Sequence, residues 1–212
     1  MLTSCTTGRG RQEVYPVVHY KKTYAVASWY GPKFNGRPTA SGEIFDMYAD
    51  TCAHKVYVFG TRLKVTNVSN NKTAICVVND RGPFIRGRDI DLSYGVAKKI
   101  GLVGPGTGRV LIETIGRDRS YVKSVKIKIV DRSGPLAIQV GAFTVRANAV
   151  RLKKALDLEY NNAYIRRLDT RKGTFFRVRI GNFEGIDRAL SVAEKLSREG
   201  YRTLVVRAGI EL

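Results

Sequence analysis

The chain is 212 residues long, with 43% hydrophobic and 26% charged residues, a globular composition that excludes disorder throughout and fits one or two domains. No apolar run approaches the roughly 20 residues that span a bilayer, which excludes a polytopic membrane protein. The net charge of +19 is shared, +8 over residues 1–116 and +11 over residues 117–212, so both halves favour anionic or polyhydroxylated partners: nucleic acid, an anionic envelope surface or a polysaccharide.

Residues 1–22 begin with Leu2-Thr3-Ser4-Cys5, followed by the basic Gly8-Arg9-Gly10-Arg11. Small residues ahead of a Cys resemble a bacterial lipobox, where a peptidase cuts and the thiol takes a diacylglyceryl chain. Such a signal also needs a basic and an apolar segment upstream, expected in frame ahead of Met1. On this reading Cys5 is a lipid anchor and residues 6–22 are a tether. Of three cysteines, Cys52 and Cys76 then remain as an even pair in an oxidising compartment, where a disulfide is expected. The alternative is two buried free thiols.

Short strands punctuated by Gly, Pro and Asn follow, at residues 25–30, 62–68, 73–79 and 110–114, the middle two forming a hairpin around Ser69-Asn70-Asn71. One helix is expected over residues 92–100, with Ser93 as N-cap and Gly101 as its stop. Many short strands at close spacing suggest a small barrel over residues 23–116. Residues 117–133, rich in Arg, Lys, Asp and Ser, read as a flexible linker with one extended stretch. The period then changes. Strands at 136–143, 163–168, 175–180 and 203–206 alternate with helical spacing at Val145, Ala149, Leu152 and Leu156, and again at Ile186, Ala189, Ala193 and Leu196. The order over residues 134–212 is βαββαβ, a ferredoxin-like arrangement that hosts many functions.

The most specific stretch is Ala27-Ser28-Trp29-Tyr30-Gly31-Pro32-Lys33-Phe34-Asn35-Gly36, continuing through Thr39-Ala40-Ser41-Gly42-Glu43. Cys52-Ala53-His54-Lys55, then Asn79-Asp80-Arg81-Gly82-Pro83-Phe84 and Gly87-Arg88-Asp89-Ile90-Asp91 complete it. This series resembles the rare lipoprotein A family, septal-ring lytic transglycosylases with a double-psi β-barrel, over about residues 24–116. Ile138-Gln139-Val140-Gly141-Ala142-Phe143 and Phe176-Arg177-Val178-Arg179-Ile180-Gly181-Asn182-Phe183 resemble the sporulation-related repeat (SPOR) domain, which binds glycan strands stripped of their peptides. Phe176 stands where that domain usually has Tyr, and Asn182 where it has Pro. The fold expected is therefore mainly β plus α+β: a six-stranded double-psi β-barrel, then a small βαββαβ domain.

Glycoside cleavage needs an acid to protonate the leaving oxygen, and ordinary glycosidases use two carboxylates. The resemblance implies a mechanism with one: the same group acts as acid, then as base on the sugar's own 6-hydroxyl, leaving a 1,6-anhydro end. Such an acid must be held protonated near neutral pH by burial or a nearby charge. Asp80, between an apolar strand and the Gly82-Pro83 turn, is the leading candidate, against a role in capping that turn or pairing with Arg81. The resemblance also marks Glu43, otherwise a solvated loop charge, and His54, a substrate-positioning or structural histidine. Trp29 and Tyr30 suit stacking on sugar rings or packing in the core. In the second domain Gln139, Phe176 and Arg179 are the expected glycan contacts.

Asp89 and Asp91 read as structural, the first balancing Arg88 and the second supporting the start of the helix. No His/Cys spacing suggests a metal, and no cofactor is expected. A faint likeness of Lys172-Gly173-Thr174-Phe175-Phe176-Arg177-Val178 to an RNA-binding strand makes an RNA-binding module the rival, disfavoured because Gln139 replaces its partner aromatic. The expected protein is a monomeric outer-membrane lipoprotein, facing the periplasm and enriched at division septa, that cleaves peptide-free peptidoglycan strands without nucleic acid as a partner. A non-catalytic, expansin-like glycan binder is the other alternative.

Overall fold

The computed structural model describes residues 22–128, 134–171 and 173–209, so Cys5 and most of the tether lie outside the described residues. In chain order the first unit comprises β1 (Lys22–Trp29), β2 (Thr51–His54), β3 (Thr61–Asn67), β4 (Thr73–Asp80), β5 (Ile90–Leu92), α1 (Tyr94–Lys99) and β6 (Thr107–Arg117). The six strands close into a barrel in the order β1-β5-β2-β4-β3-β6. Two parallel pairs, β1 with β5 and β2 with β4, carry the crossing connections. β3 alternates between buried and more exposed positions along its length, the period-two signal of a strand with one face on a core. β2 and β5 are only four and three residues long, β5 wholly buried and β2 buried at its two middle residues. They carry no alternation, so sequence periodicity passes over them.

Leu63, Val65, Cys76, Val78, Ile90 and Leu92 are all fully buried in the barrel core. α1 is shorter than the sequence suggests; Ser93 Oγ caps it by accepting from Val96 N at 3.1 Å, and Val96 and Ala97 face the core. Cys52 on β2 is disulfide-bonded to Cys76 on β4, with a Cα–Cα separation of 5.9 Å.

The second unit comprises β7 (Val125–Ile127), β8 (Leu136–Phe143), α2 (Arg146–Asp157), β9 (Ala163–Thr170), β10 (Gly173–Phe183), α3 (Ile186–Arg198) and β11 (Thr203–Arg207). Its sheet runs β7-β11-β8-β10-β9, so the βαββαβ core gains an edge strand from the segment expected to be a linker. That segment also gives a short 3₁₀ turn, Arg119–Tyr121, in which Tyr121 is buried. α2 packs over β8–β10, and α3 over β7, β8 and β11, both through small and aliphatic residues such as Ala149, Leu152, Ala193 and Leu196. No helix among the described residues is long and apolar enough to cross a membrane.

The two units are clasped together. Arg81, 2% exposed, lies 3.8 Å over the ring of Phe59. It donates Nε to Tyr201 Oη at 2.6 Å and Nη1 to the Tyr57 carbonyl at 2.9 Å. Phe59 meets Tyr201 edge-on at 4.9 Å, and its amide donates to Glu199 O at 2.9 Å. Gly200 closes the joint: with φ +100° and a would-be Cβ 2.8 Å from Phe59 Cβ, it meets both a backbone and a steric demand that only glycine satisfies.

Candidate active site

The apolar strand β4 delivers Asp80 to the barrel rim as its last residue. Three groups donate to the carboxyl: Ala40 N at 2.8 Å and Arg81 N at 2.8 Å to Oδ1, and Tyr30 Oη at 3.0 Å to Oδ2. Burial raises the proton affinity of Asp80 above the usual carboxylate range; the two amides, the Tyr30 hydroxyl and the charge of Arg151 oppose that rise without cancelling it. Burial and the nearby Asp80 and Asp91 in turn raise the Tyr30 phenol well above its ordinary value, so Tyr30 is a hydrogen-bond donor throughout the neutral range.

The loop bearing Glu43 is tied to the same strand end. Ser41 N donates to Asn79 O at 3.2 Å, while Asn79 Nδ2 and Tyr121 Oη each donate to Glu43 Oε2 at 2.8 Å. Glu43 itself is exposed. Beside Asp80 opens a cleft of about 450 Å³ lined by Trp29, Tyr30, Phe34, Arg81, Pro83, Asp91 and Arg151. A second groove, about 590 Å³, runs from Thr39–Gly42 to Gln139 and Phe143 on β8, flanked by Lys123, Lys126 and Arg202. It leads from the Asp80 rim to the second domain. Among the described residues no cluster of three or more His, Cys, Asp and Glu side chains could hold a metal ion.

An enclosed carboxyl with raised proton affinity beside an aromatic-lined cleft suits acid catalysis on a sugar chain. Residues 22–112 match the lytic transglycolase family, and residues 133–207 match the SPOR domain. The barrel is a lytic transglycolase domain, and the second unit is a SPOR domain. The chain is similar to proteins named endolytic peptidoglycan transglycosylase RlpA. That of Vibrio cholerae is 55% identical over 93 residues, 44% of this chain and 35% of the relative. That of Helicobacter pylori is 32% identical over 202 residues, 86% of this chain and 64% of the relative, and that of Pseudomonas aeruginosa 43% over 125 residues, 55% and 36%. The chain thus spans less than two thirds of the length of each.

The lytic transglycolase barrel brings Asp80 and Glu43 to one rim, and β2 lies beside β4 with Ala53, the residue before His54, opposite Asp80. His54 Nδ1 accepts from Val56 N and Tyr57 N, each at 3.2 Å, and its ring lies 4.2 Å from that of Tyr57. Burial, reinforced by Arg81 and Lys55, lowers its pKa to about 4. A neutral imidazole accepting two amides holds a turn. That turn presents the Tyr57 carbonyl to Arg81, the residue after Asp80.

Trp29 is half-buried, lines the cleft and meets Tyr94 edge-on at 5.6 Å. Tyr30 is packed between Phe34 and Phe45, at 5.5 and 5.0 Å, which leaves its hydroxyl, rather than its ring face, for the site. The Asp89 expectation is corrected: Asp91, not Asp89, takes Arg88, and the start of α1 is held by Ser93. Asp91 pairs with Arg88 at 2.6 Å and accepts from Ser28 Oγ. Asp89 accepts from Val26 N at 2.9 Å and pairs with Lys55 at 3.3 Å.

In the SPOR domain, Gln139 lines both the inter-domain groove and a cavity on the open sheet face. The expectation for Phe176 is corrected: it packs against the core, and Phe175 is the aromatic on the open face, beside Gln139 and Arg177. Arg179 is corrected too. It is fully buried, and none of its guanidinium nitrogens has a hydrogen-bond partner, so it offers no surface to a glycan. The register shift in the β8–β10 pairing leaves Val140 of β8 as the extra residue, while β10 pairs with β9 without a shift, so Phe176 and Arg179, three positions apart on one continuous strand, cannot share a face. Sequence reasoning also missed Arg151, Tyr121 and Tyr201, three residues beyond the barrel that reach its rim; no spacing links them to Asp80.

Proposed function

We propose that the protein is an endolytic peptidoglycan transglycosylase, acting on peptide-free glycan strands at division septa. The observation that carries this reading is the enclosed Asp80 carboxyl with its raised proton affinity, bonded to Tyr30 of an adjoining aromatic-lined cleft. Asp80 gives its proton to the glycosidic oxygen as the C1–O bond breaks. The resulting carboxylate then takes the proton of the sugar's 6-hydroxyl, whose oxygen closes onto C1. The product carries a 1,6-anhydro end, and no water is consumed. The Tyr30 hydroxyl and the amides of Ala40 and Arg81 hold the carboxyl in place and stabilise its charged phase.

Glu43, fixed through Oε2, leaves Oε1 to orient a sugar hydroxyl, and Trp29 gives the cleft a stacking edge. His54 acts at one remove, by setting the Tyr57 carbonyl that orients Arg81. The open face of the SPOR sheet, with Gln139 and Phe175, holds the strand away from the cleavage point. Lipidation at Cys5 would anchor the protein to the periplasmic face of the outer membrane as a monomer. The test is digestion of peptide-free glycan strands with the wild-type chain and with Asp80→Asn. Mass spectrometry should find 1,6-anhydro ends with the first and none with the second. Intact strands in both digests would leave a glycan-binding protein without catalysis.

A further inference from the structure

The cleft beside Asp80 is not made by the barrel alone. Arg151, on α2 of the SPOR domain, lines it, and also lines a small cavity that includes Asp80 and Tyr30. Its Nη2 donates to Asn148 Oδ1 at 2.5 Å. Asn148, 5% exposed, donates in turn to the Pro38 carbonyl of the barrel at 3.4 Å. The guanidinium is therefore steered across the domain boundary and into the cleft by a buried amide.

Its surroundings are cationic. Lys33, Arg37 and Arg151 stand 5.6, 5.9 and 5.3 Å from the centroid of the Phe34 ring. Among the described residues none of the three is ion-paired; the acidic partners in the neighbourhood, such as Asp91, are taken by other cations. An unmatched cation here also works against the chemistry, because the charge of Arg151 draws Asp80 toward ionisation. A site arranged this way lacks an anion, and the substrate has one to give. The backbone of a peptidoglycan strand is neutral except at the lactyl ether of its muramic acid units. That carboxyl is an amide while the stem peptide is attached and a free carboxylate once it is removed.

We propose that Arg151 binds the free lactyl carboxylate of a muramic acid unit in the barrel cleft, so that the SPOR domain supplies the residue by which the barrel selects peptide-free strands. A planar guanidinium matches a carboxylate through two parallel hydrogen bonds. Binding matches its charge and relieves the pull on Asp80, so the acid holds its proton best when the right substrate is in place. This assignment rests on the transglycosylase reading.

The experiment uses the full chain and two substrates: peptide-free strands with free carboxyls, and the same strands methyl-esterified. The wild-type chain should cleave the free-acid strands with a kcat/KM about tenfold or more above that for the ester, the usual reach of one charge-assisted contact. Arg151→Gln should lose that preference, mostly through KM on the free acid. Arg151→Lys should retain part of it. A wild-type chain that does not discriminate overturns the assignment without any variant; so does an Arg151→Gln chain that keeps the preference, or that loses activity equally on both substrates. If the wild-type chain cleaves neither, the transglycosylase reading falls. The ratio of Kd values for the two strands, wild type against Arg151→Gln, then decides the Arg151 assignment by the same criteria.

Discussion

The barrel and the SPOR domain display their polar groups in different ways. In the barrel, Asp80 sits where a strand ends, wrapped by a loop and by Tyr30, with every donor to it fixed by backbone or buried side chain. In the SPOR domain, Gln139, Phe175 and Arg177 lie in mid-strand on an open face. A strand-end carboxyl depends only on where the strand stops, whereas a face residue depends on parity along the whole ladder, and one bulge reverses it. The first arrangement gives a desolvated, tuned group suited to chemistry; the second gives area suited to holding a strand.

The sharpest way to break this contrast is Asp80→Asn, which keeps shape and hydrogen bonding but removes the proton. Cleavage should fall by about 10²–10⁴-fold while the melting temperature and glycan binding stay near wild type. A variant that still releases anhydro products at the normal rate would move the acid to Glu43.

Next comes the independence of the two regions. A flexible linker would leave the barrel fully active after removal of residues 134–212. The clasp of Arg81 and Phe59 with Tyr201 leads to the opposite expectation: the isolated barrel exposes Phe59, loses the partner of Arg81 and cleaves at least tenfold more slowly, by an estimate of about 1.4 kcal/mol for the lost charged hydrogen bond. Full activity of the isolated barrel would show that the clasp is only packing.

The disulfide divides the regions by stability. Replacing Cys52 and Cys76 together by Ala reopens a loop of 24 residues and should cost about 3 kcal/mol on the chain-entropy account. The cost should appear in denaturant unfolding of the barrel, with SPOR-domain probes moving only as far as the clasp couples them.

Within the SPOR domain, adjacent phenylalanines should fail in different assays. Phe175→Ala should weaken glycan-strand binding about tenfold, from loss of a stacking surface, with unchanged stability. Phe176→Ala should cost about 2 kcal/mol of stability, less than a fully buried Phe because it is only half-covered. Reversed outcomes would put Phe176, not Phe175, on the glycan-binding face.

The smallest expected effect concerns Glu199, at the joint. Burial, then the charge of Glu159, raises its pKa to about 7. Its folded value lies above the unfolded one, so its contribution to stability is full below pH 4.5 and is lost as pH rises through about 7. Glu199→Gln, which cannot ionise, should therefore leave stability near pH 4 unchanged. Above pH 7 it should raise stability by on the order of 1 kcal/mol, after allowance for screening. Thermal melts across pH 4–8 would check both the sign and the window.

The sequence by itself determined the order of barrel and βαββαβ domain, the strand bearing Asp80, the Ser93 cap and the spans of the longer helices. Each of these is written in local periodicity or in a contiguous motif. It also marked Glu43 together with Asp80 through one family's motifs, while the link between them, Asn79 to Glu43, came from the structure. Only the tertiary structure decided which of two adjacent phenylalanines faces outward, that Arg179 is buried, that His54 holds the turn at Val56 and Tyr57, and that Arg81 is locked by Tyr201. For three of them the cause is packing between residues distant in sequence; the His54 contacts are local, to Val56 and Tyr57, but follow no periodicity. Arg151 is the extreme case: 71 positions separate it from Asp80, and only the docking of one domain on the other brings its charge to the carboxyl.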